Sequence, residues 1–467
     1  MKQILIVVRM LMALTMGAWL TATALPAQAT ARKPNIILIL ADDLGYGDVG
    51  CFGQTRIKTP HLDQLAREGV RFTQFYSGST VCAPARNVLM TGEHTGHALI
   101  RGNAKIDLRA ADTTIAELLR DAGYATAVIG KWGLGRTGST GDPDARGFSH
   151  AFGFIDQTHA HNYYPSHLVR NGERIPLRNV VPDEGEYGQG IATTRVDYAP
   201  DLFIAEAEAF IEKHREQPFF LYFPTTLPHA NNEAGDAGME IPDVGAYADE
   251  DWPQAEKGFA AMVTRLDTDV GRIVAAVDRL GLAGDTLIIF TSDNGPHNEG
   301  GHSAEFFDSN GPFRGTKRSL LEGGIRVPTI ARWTGRGQAG ASDDRLAYFP
   351  DLYTTFAELA GVTGAPQRDG ISLVPAFTRP GVGTTRTDGL YWEFYEREIT
   401  SQAVRVGRWK AVREPIGTGA IQLYDIPADP AESRDLAAEH PDIAARAAAL
   451  MDVAHIPSPR WPTAPAK

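Results

Sequence analysis

Cysteine is almost missing from this chain: Cys51 and Cys82 are the only two in 467 residues. A disulfide-built scaffold is thereby excluded, and at most one bridge could form. Basic residues are also in short supply, with 45 Lys and Arg against 57 Asp and Glu and a formal net charge of −12. Such an acidic chain is a poor partner for nucleic acid. It has no general attraction for polyanions either, so an anionic ligand must be held by a local basic pocket. Neither a low-complexity tract nor an internal repeat is present, which excludes a solenoid. Beyond residue 29 no apolar run is long enough to span a bilayer.

What is there has the composition of a globular enzyme, with 43% hydrophobic and 22% charged residues. Its 48 glycines and 29 prolines are scattered as turns. The length suits one large α/β core plus a smaller appended unit. Residues 1–29 read as a secretory signal peptide. Lys2 and Arg9 flank its start, an apolar run covers Met10 to Leu20, and Ala27-Gln28-Ala29 is a small-x-small cleavage site. No cysteine follows that site to carry a lipid. The expected product is exported, secreted or periplasmic, with no membrane anchor.

Four continuous apolar runs have strand length: Asn35 to Ala41, Ala125 to Gly130, Phe219 to Phe223 and Thr286 to Thr291. Apolar on both faces, they read as parallel strands covered by helices. Helical segments lie between them. One opens at Thr59-Pro60 and closes at Gly69, and another starts with a Thr114/Glu117 capping box and stops at Gly123. Ala199 to Glu216 and Ala255 to Leu280 carry apolar residues at three- and four-residue spacing. The predicted fold is α/β, a large mainly parallel sheet sandwiched between helices. From about Pro375 the pattern changes. Leu390 to Phe394 and Gln402 to Val412 alternate like antiparallel strands, and a last helix lies around Pro441 to Met451. The expected division is a catalytic α/β domain over 33–374 and a C-terminal subdomain over 375–467.

Open α/β sheets bind ligands beyond the carboxyl ends of their strands. Those ends here carry Asp42-Asp43, Lys131, His229 after a short loop, and Asp293-Asn294. Three carboxylates and a carboxamide form a hard oxygen set that suits Ca²⁺ or Mg²⁺ rather than zinc. Alone, Asp-Asp-Leu-Gly or Ser-Asp-Asn-Gly would be a polar turn. Two such segments at the ends of buried strands point to a cation site.

Cys82-Ala83-Pro84-Ala85-Arg86 is the most informative stretch. Pro84 suits the first turn of a helix, where its missing N–H removes no bond. Cys82 would then sit at or near the N-cap, facing unpaired N–H groups, with Arg86 one turn on. That arrangement stabilises an anion. The alternative is a small apolar cysteine at a helix start. Cys51 reads as a buried thiol in the turn Gly50-Cys51-Phe52-Gly53.

The segment resembles the Cys-x-Pro-x-Arg signature of the type I sulfatases, in the alkaline phosphatase superfamily. The likeness extends over essentially the whole chain after the leader. Gly130-Lys131-Trp132-Gly133-Leu134-Gly135 is similar to the family's Gly-Lys-Trp-His-Leu-Gly, with glycine at 133 in place of histidine. Arg314-Gly315-Thr316-Lys317, the run Glu322 to Pro328, and Leu227-Pro228-His229 match as well. The resemblance implies that Cys82 is converted to formylglycine by a maturation enzyme. It implies calcium held by Asp42, Asp43, Asp293, Asn294 and a formylglycine oxygen at position 82. It also implies that Arg86, Lys131, His229 and Lys317 serve catalysis, and that a small four-stranded sheet and helix close the chain. His159, His161, His297 and His302 are candidate pocket residues. His161 is the leading replacement for the base missing at Gly133, and His159 is the alternative.

The expected activity is an exported, calcium-dependent sulfatase acting on sulfate monoesters of carbohydrate or aryl alcohols. A phosphonate monoester or phosphodiester hydrolase of the same superfamily is one rival. A catalytically silent protein that binds sulfated glycans is the other.

Overall fold

The computed structural model describes residues 33–382 and 386–463. The expected signal peptide lies outside the described residues. The four apolar runs form strands Asn35–Ala41, Ala125–Lys131, Phe219–Pro224 and Thr286–Ser292, buried along almost every residue. They lie side by side and parallel, in the spatial order Thr286–Ser292, Asn35–Ala41, Phe219–Pro224, Ala125–Lys131. The register pairs Ala41 with Ser292, so Asp42 and Asp293 leave the sheet next to each other.

Side chains alternate across these strands and sort onto two faces. Ile37 and Ile39 join the cluster holding Phe203 and Phe259, from helices Ala199–Lys213 and Gln254–Arg279. Ile36, Leu38 and Leu40 join Leu89, Leu119 and Phe356, from helices Cys82–Thr91, Ile115–Asp121 and Phe349–Leu359. Each such side chain contributes roughly 1.5–3 kcal/mol on full burial. The sheet extends to ten strands. On one side come Thr329–Trp333, Val70–Phe72 and Ala341–Asp343, and on the other His150–Phe154, His167–Arg170 and Glu173–Pro176. Four pairings that involve these flanking strands are antiparallel, so the sheet is mixed outside its parallel centre.

The capping box is present: Thr114 Oγ1 accepts from the Glu117 N–H at 3.1 Å, and the Thr114 N–H donates to Glu117 Oε2 at 2.9 Å. Leu390–Glu396, Ile399–Val406, Trp409–Arg413 and Ile421–Asp425 form a separate antiparallel sheet in chain order. The stretch Gln402 to Val412 is two strands of it, because Gly407 at φ 55° turns the chain between them. Helix Pro441–Ala454 covers one face through Ala447 and Met451. Trp392 and Phe394 on the other face pack with Tyr76 and Val81, just ahead of Cys82. Among the described residues no helix is long and apolar enough to cross a membrane.

Candidate active site

Helix Cys82–Thr91 begins with the cysteine itself, and Val81 is its N-cap. Cys82 is therefore the first helical residue, with Pro84 in the first turn. Every residue of this helix is buried. Both cysteines are free, so no bridge joins them, and Cys51 is only half-buried. The Cys82 Sγ lies 3.2 Å from Asp42 Oδ1 and 3.9 Å from Asp43 Oδ1. Burial and the Asp42 carboxylate hold its thiol well above the usual range. An unmodified thiol here stays protonated and is a weak nucleophile.

Around it the strand ends converge. Asp43 adopts φ 66°, unusual for a residue with a Cβ, and its N–H donates to Asp293 Oδ1 at 3.1 Å. Asn294 Nδ2 donates to Asp43 Oδ1 at 2.7 Å. Arg86 donates to Asp293 Oδ2 through Nε and Nη2, and through Nη1 to the Lys131 carbonyl at 2.7 Å. Lys131 Nζ lies 2.8 Å from Asp42 Oδ2, and Lys317 Nζ lies 2.7 Å from Asp43 Oδ2. Burial opposes charge on both ammonium groups, but Asp42 and Asp43 respectively outweigh it and raise their pKa values. Burial likewise opposes the Asp42 carboxylate, yet Lys131 and Arg86 hold it well below its usual range.

His229 follows the Phe219–Pro224 strand. Its Nδ1 lies 2.6 Å from the Ala230 carbonyl, which can only accept, so Nδ1 carries the proton. Burial and the Lys317 cation push its pKa down to about 3, which leaves the ring neutral. Nε2 is then an acceptor, 3.4 Å from Lys317 Nζ.

The donor set fits a hard divalent cation. Ligand atoms of Asp42, Asp43, Cys82 and Asp293 all lie within 4.8 Å of one another. The Asn294 Oδ1 is buried beside them with no hydrogen-bond partner. Burial and the neighbouring Asp42 charge push the Asp293 carboxyl up to about 7, a strain that a cation would relieve.

The four further histidines separate. The His161 ring stacks on His229 with centroids 5.1 Å apart, and its Nδ1 meets the Glu233 carboxylate at 3.2 Å. His161 and Gly133 line one cavity. His297 is buried 6.3 Å from the His229 ring, with Nε2 3.3 Å from the Pro228 carbonyl. The other two lie farther from the centre. His159 is buried against Phe154 and His167 and lines a neighbouring cavity without Gly133, because a side chain two residues from His161 leaves the turn in another direction. His302 packs on the Phe259 ring at 3.6 Å and meets Glu256 at 2.6 Å, a core position with its side chain fully covered.

Sequence reasoning missed Glu299, whose carboxylate bridges Lys317 at 3.1 Å and Arg318 at 2.8 Å. It also missed Asn103, whose Oδ1 accepts from the Ala83 N–H at 3.4 Å. Both lie in irregular segments, where nothing in the residue pattern marks them.

A family model described as Sulfatase matches residues 34–362, and one described as N-sulphoglucosamine sulphohydrolase, C-terminal, matches 313–457. The chain is 31% identical to N-acetylgalactosamine-6-O-sulfatase of Bacteroides thetaiotaomicron, over 90% of this chain and 93% of that protein. It is 33% identical to arylsulfatase A of Homo sapiens, over 89% of this chain and 81% of that protein. The crystal structure of Ps i-CgsB superposes with a TM-score of 0.78 at 28% identity, covering 93% of this chain and 96% of that one. That protein has also been solved in complex with k-i-k-neocarrahexaose.

Proposed function

The chain belongs to the sulfatase family, and on that premise we propose that it is an exported, calcium-dependent hydrolase of carbohydrate sulfate monoesters whose nucleophile is made from Cys82. One observation carries the reading. Cys82 stands 3.2 Å from Asp42 where three strand-end carboxylates meet, with Arg86, Lys131 and Lys317 bound to those same carboxylates. A lone buried cysteine would not need that surround.

Formylglycine at position 82 would supply an oxygen nucleophile for sulfur. Asp42, Asp43, Asp293 and Asn294 would hold calcium, which supplies positive charge beside that nucleophile. Arg86 keeps Asp42 and Asp293 aligned. Lys131 and Lys317 present ammonium groups that neutralise sulfate oxygens and the departing oxygen. His229 Nε2 accepts from Lys317 and orients it. Gly133 offers no side chain to move a proton, and His161, tethered by Glu233, is the base in its place. In this reading the catalytic domain spans 33–374 and the C-terminal subdomain 375–467, whose Trp392 and Phe394 pack with Tyr76 and Val81 just ahead of Cys82. The sugar preference rests on the names of relatives that act on N-acetylgalactosamine sulfates and on a structural neighbour solved with a carrahexaose.

The test joins mass to turnover. Peptide mass spectrometry of active protein should find sulfur lost and oxygen gained at position 82. Release of sulfate from sugar and aryl sulfates should exceed hydrolysis of phosphate diesters, and Cys82→Ala should abolish it. Full activity from protein holding only cysteine at 82 overturns the mechanism, and a preference for phosphodiesters overturns the substrate class.

A further inference from the structure

Two cavities adjoin on the Gly133 side of the centre. The first, about 240 Å³, is lined by Asn103, Lys105, Gly133, Gln157 and His161 among others. One of its lining residues is bonded to the backbone beside the nucleophile position. Asn103 Oδ1 accepts from the N–H of Ala83, next to Cys82, and from Gln157 Nε2 at 3.2 Å. The second, about 370 Å³, is lined by His159, His167, Arg174 and Tyr187 among others. Arg136, Ile155 and Asp156 border both. Lys105 of the first wall reaches across to the second, its Nζ 2.8 Å from the centroid of the Tyr187 ring.

The charges in this groove are unevenly satisfied. Arg136 is paired with Asp107 at 2.6 Å, and Lys105 faces Asp156 at 3.8 Å. Arg174 has no carboxylate partner among the described residues, and its Nη2 lies 3.5 Å from another nitrogen, His167 Nδ1. His167 itself meets Ser166 at 2.9 Å and Glu184 at 3.5 Å. The His159 Nε2 is buried in the same wall with no hydrogen-bond partner. In a chain of net charge −12, a guanidinium left without a carboxylate is a local counter-charge for an anion.

We propose that the second cavity is a subsite for the neighbouring sugar of an oligosaccharide, with Arg174 receiving an anionic group on that sugar while the reacting sulfate lies at the centre. The Tyr187 and Lys105 side chains form the ledge between the two rings. The anion is a sulfate ester or a hexuronate carboxylate, since a guanidinium fork accepts either. This subsite rests on the sulfatase reading.

Four probes separate the outcomes: N-acetylgalactosamine 6-sulfate alone, and the same sugar linked to a neutral hexose, to a hexuronic acid or to a second sulfated hexosamine. For each disaccharide, kcat/KM is taken relative to the monosaccharide in wild-type protein and in Arg174→Gln. The ratio should fall about tenfold for an anionic disaccharide, the worth of one charge-assisted hydrogen bond, and stay level for the neutral one. The disaccharide that loses most identifies the anion. Equal ratios for neutral and anionic sugars in both proteins overturn the subsite. Calorimetric binding of the four sugars to Cys82→Ala and to Cys82→Ala/Arg174→Gln runs alongside. If wild-type protein releases sulfate neither from these four nor from an aryl sulfate, the reading of the reaction fails, and the binding comparison alone decides for or against the subsite.

Discussion

Arg86 grips Asp293 through two nitrogens, Nε at 3.1 Å and Nη2 at 2.8 Å, and both side chains are fully buried. The same guanidinium binds the Lys131 carbonyl and lies 3.5 Å from Asp42, so it ties together three strand ends. Arg86→Ala leaves buried carboxylates uncompensated and should cost about 3–5 kcal/mol in denaturant unfolding. Arg86→Lys keeps the charge but loses the fork. It should hold most of the stability while turnover of an aryl sulfate falls roughly 100-fold. Wild-type turnover in the lysine variant would show that the fork geometry is dispensable.

The orphaned Asn294 Oδ1 gives the cation site a test that does not depend on turnover. Asn294→Leu removes that oxygen and the donor to Asp43. Calcium affinity by calorimetry should fall about 10- to 100-fold. Exhaustive chelation of wild-type protein should lower its unfolding temperature, and added calcium should restore it. Unchanged affinity in the variant excludes Asn294 as a ligand.

A second buried charge cluster joins the small sheet to helix Glu322–Ile325. Lys410 Nζ lies 3.1 Å from Glu322 and 3.0 Å from Glu432, with all three side chains fully buried. Arg326 and the Tyr76 hydroxyl also reach Glu322. Lys410→Met leaves two carboxylates facing each other and should cost about 3–5 kcal/mol, measured by urea unfolding. Lys410→Met/Glu432→Leu should recover much of that loss, because it removes the charge left unpaired. No recovery in the double variant would mean that the cluster acts through packing.

The centre was legible because its donors stand at the ends of continuous apolar runs, where chain order already says which residues leave the sheet. Asp42 and Asp293 could be placed at strand ends, but not beside each other, since the pairing of Ala41 with Ser292 joins segments some 250 residues apart, the separation recorded for Asp43 and Asp293. The mixed flanks of the sheet were illegible for a similar reason: strands such as Val70–Phe72 are too short to carry a period. Irregular turns hid the rest. His159 and His161 sit in one short turn, yet one ring meets His167 and the other His229. Glu299 enters the site from a loop without periodicity.

Asp267, on helix Gln254–Arg279, accepts the His61 and Leu62 N–H groups at 3.2 and 2.7 Å and so caps helix Pro60–Glu68 from outside. Burial pushes its carboxyl up to about 6, above the 3.8 of an unperturbed group. A raised acid binds its proton more tightly in the folded state. Its contribution is therefore largest at low pH, declines as pH rises from about 4 to 6, and is level above that. Asp267→Asn does not titrate. The stability of wild type relative to this variant should fall by on the order of 2 kcal/mol between pH 4 and 7. Urea unfolding at four pH values in that range measures it, and a flat or rising difference contradicts the assignment.

The last prediction concerns the proton that Gly133 cannot carry. A Cβ there would meet only Gln157, at 3.6 Å, so the position opens on the cavity that His161 also lines. His161 has the features of an oriented base: its Nδ1 is tethered to Glu233, and its ring is fixed by stacking on His229. Burial tends to raise the Glu233 carboxyl, but its bond to His161 holds it below the usual range. His161→Ala should slow sulfate release about 100-fold or more while the first transfer stays fast. A burst of product alcohol should then precede slow turnover in rapid-mixing experiments. Glu233→Gln keeps the ring and loses its tether, so its burst should be weaker. If His161→Ala turns over normally without a burst, the histidine only lines the cleft, and the proton must leave by water.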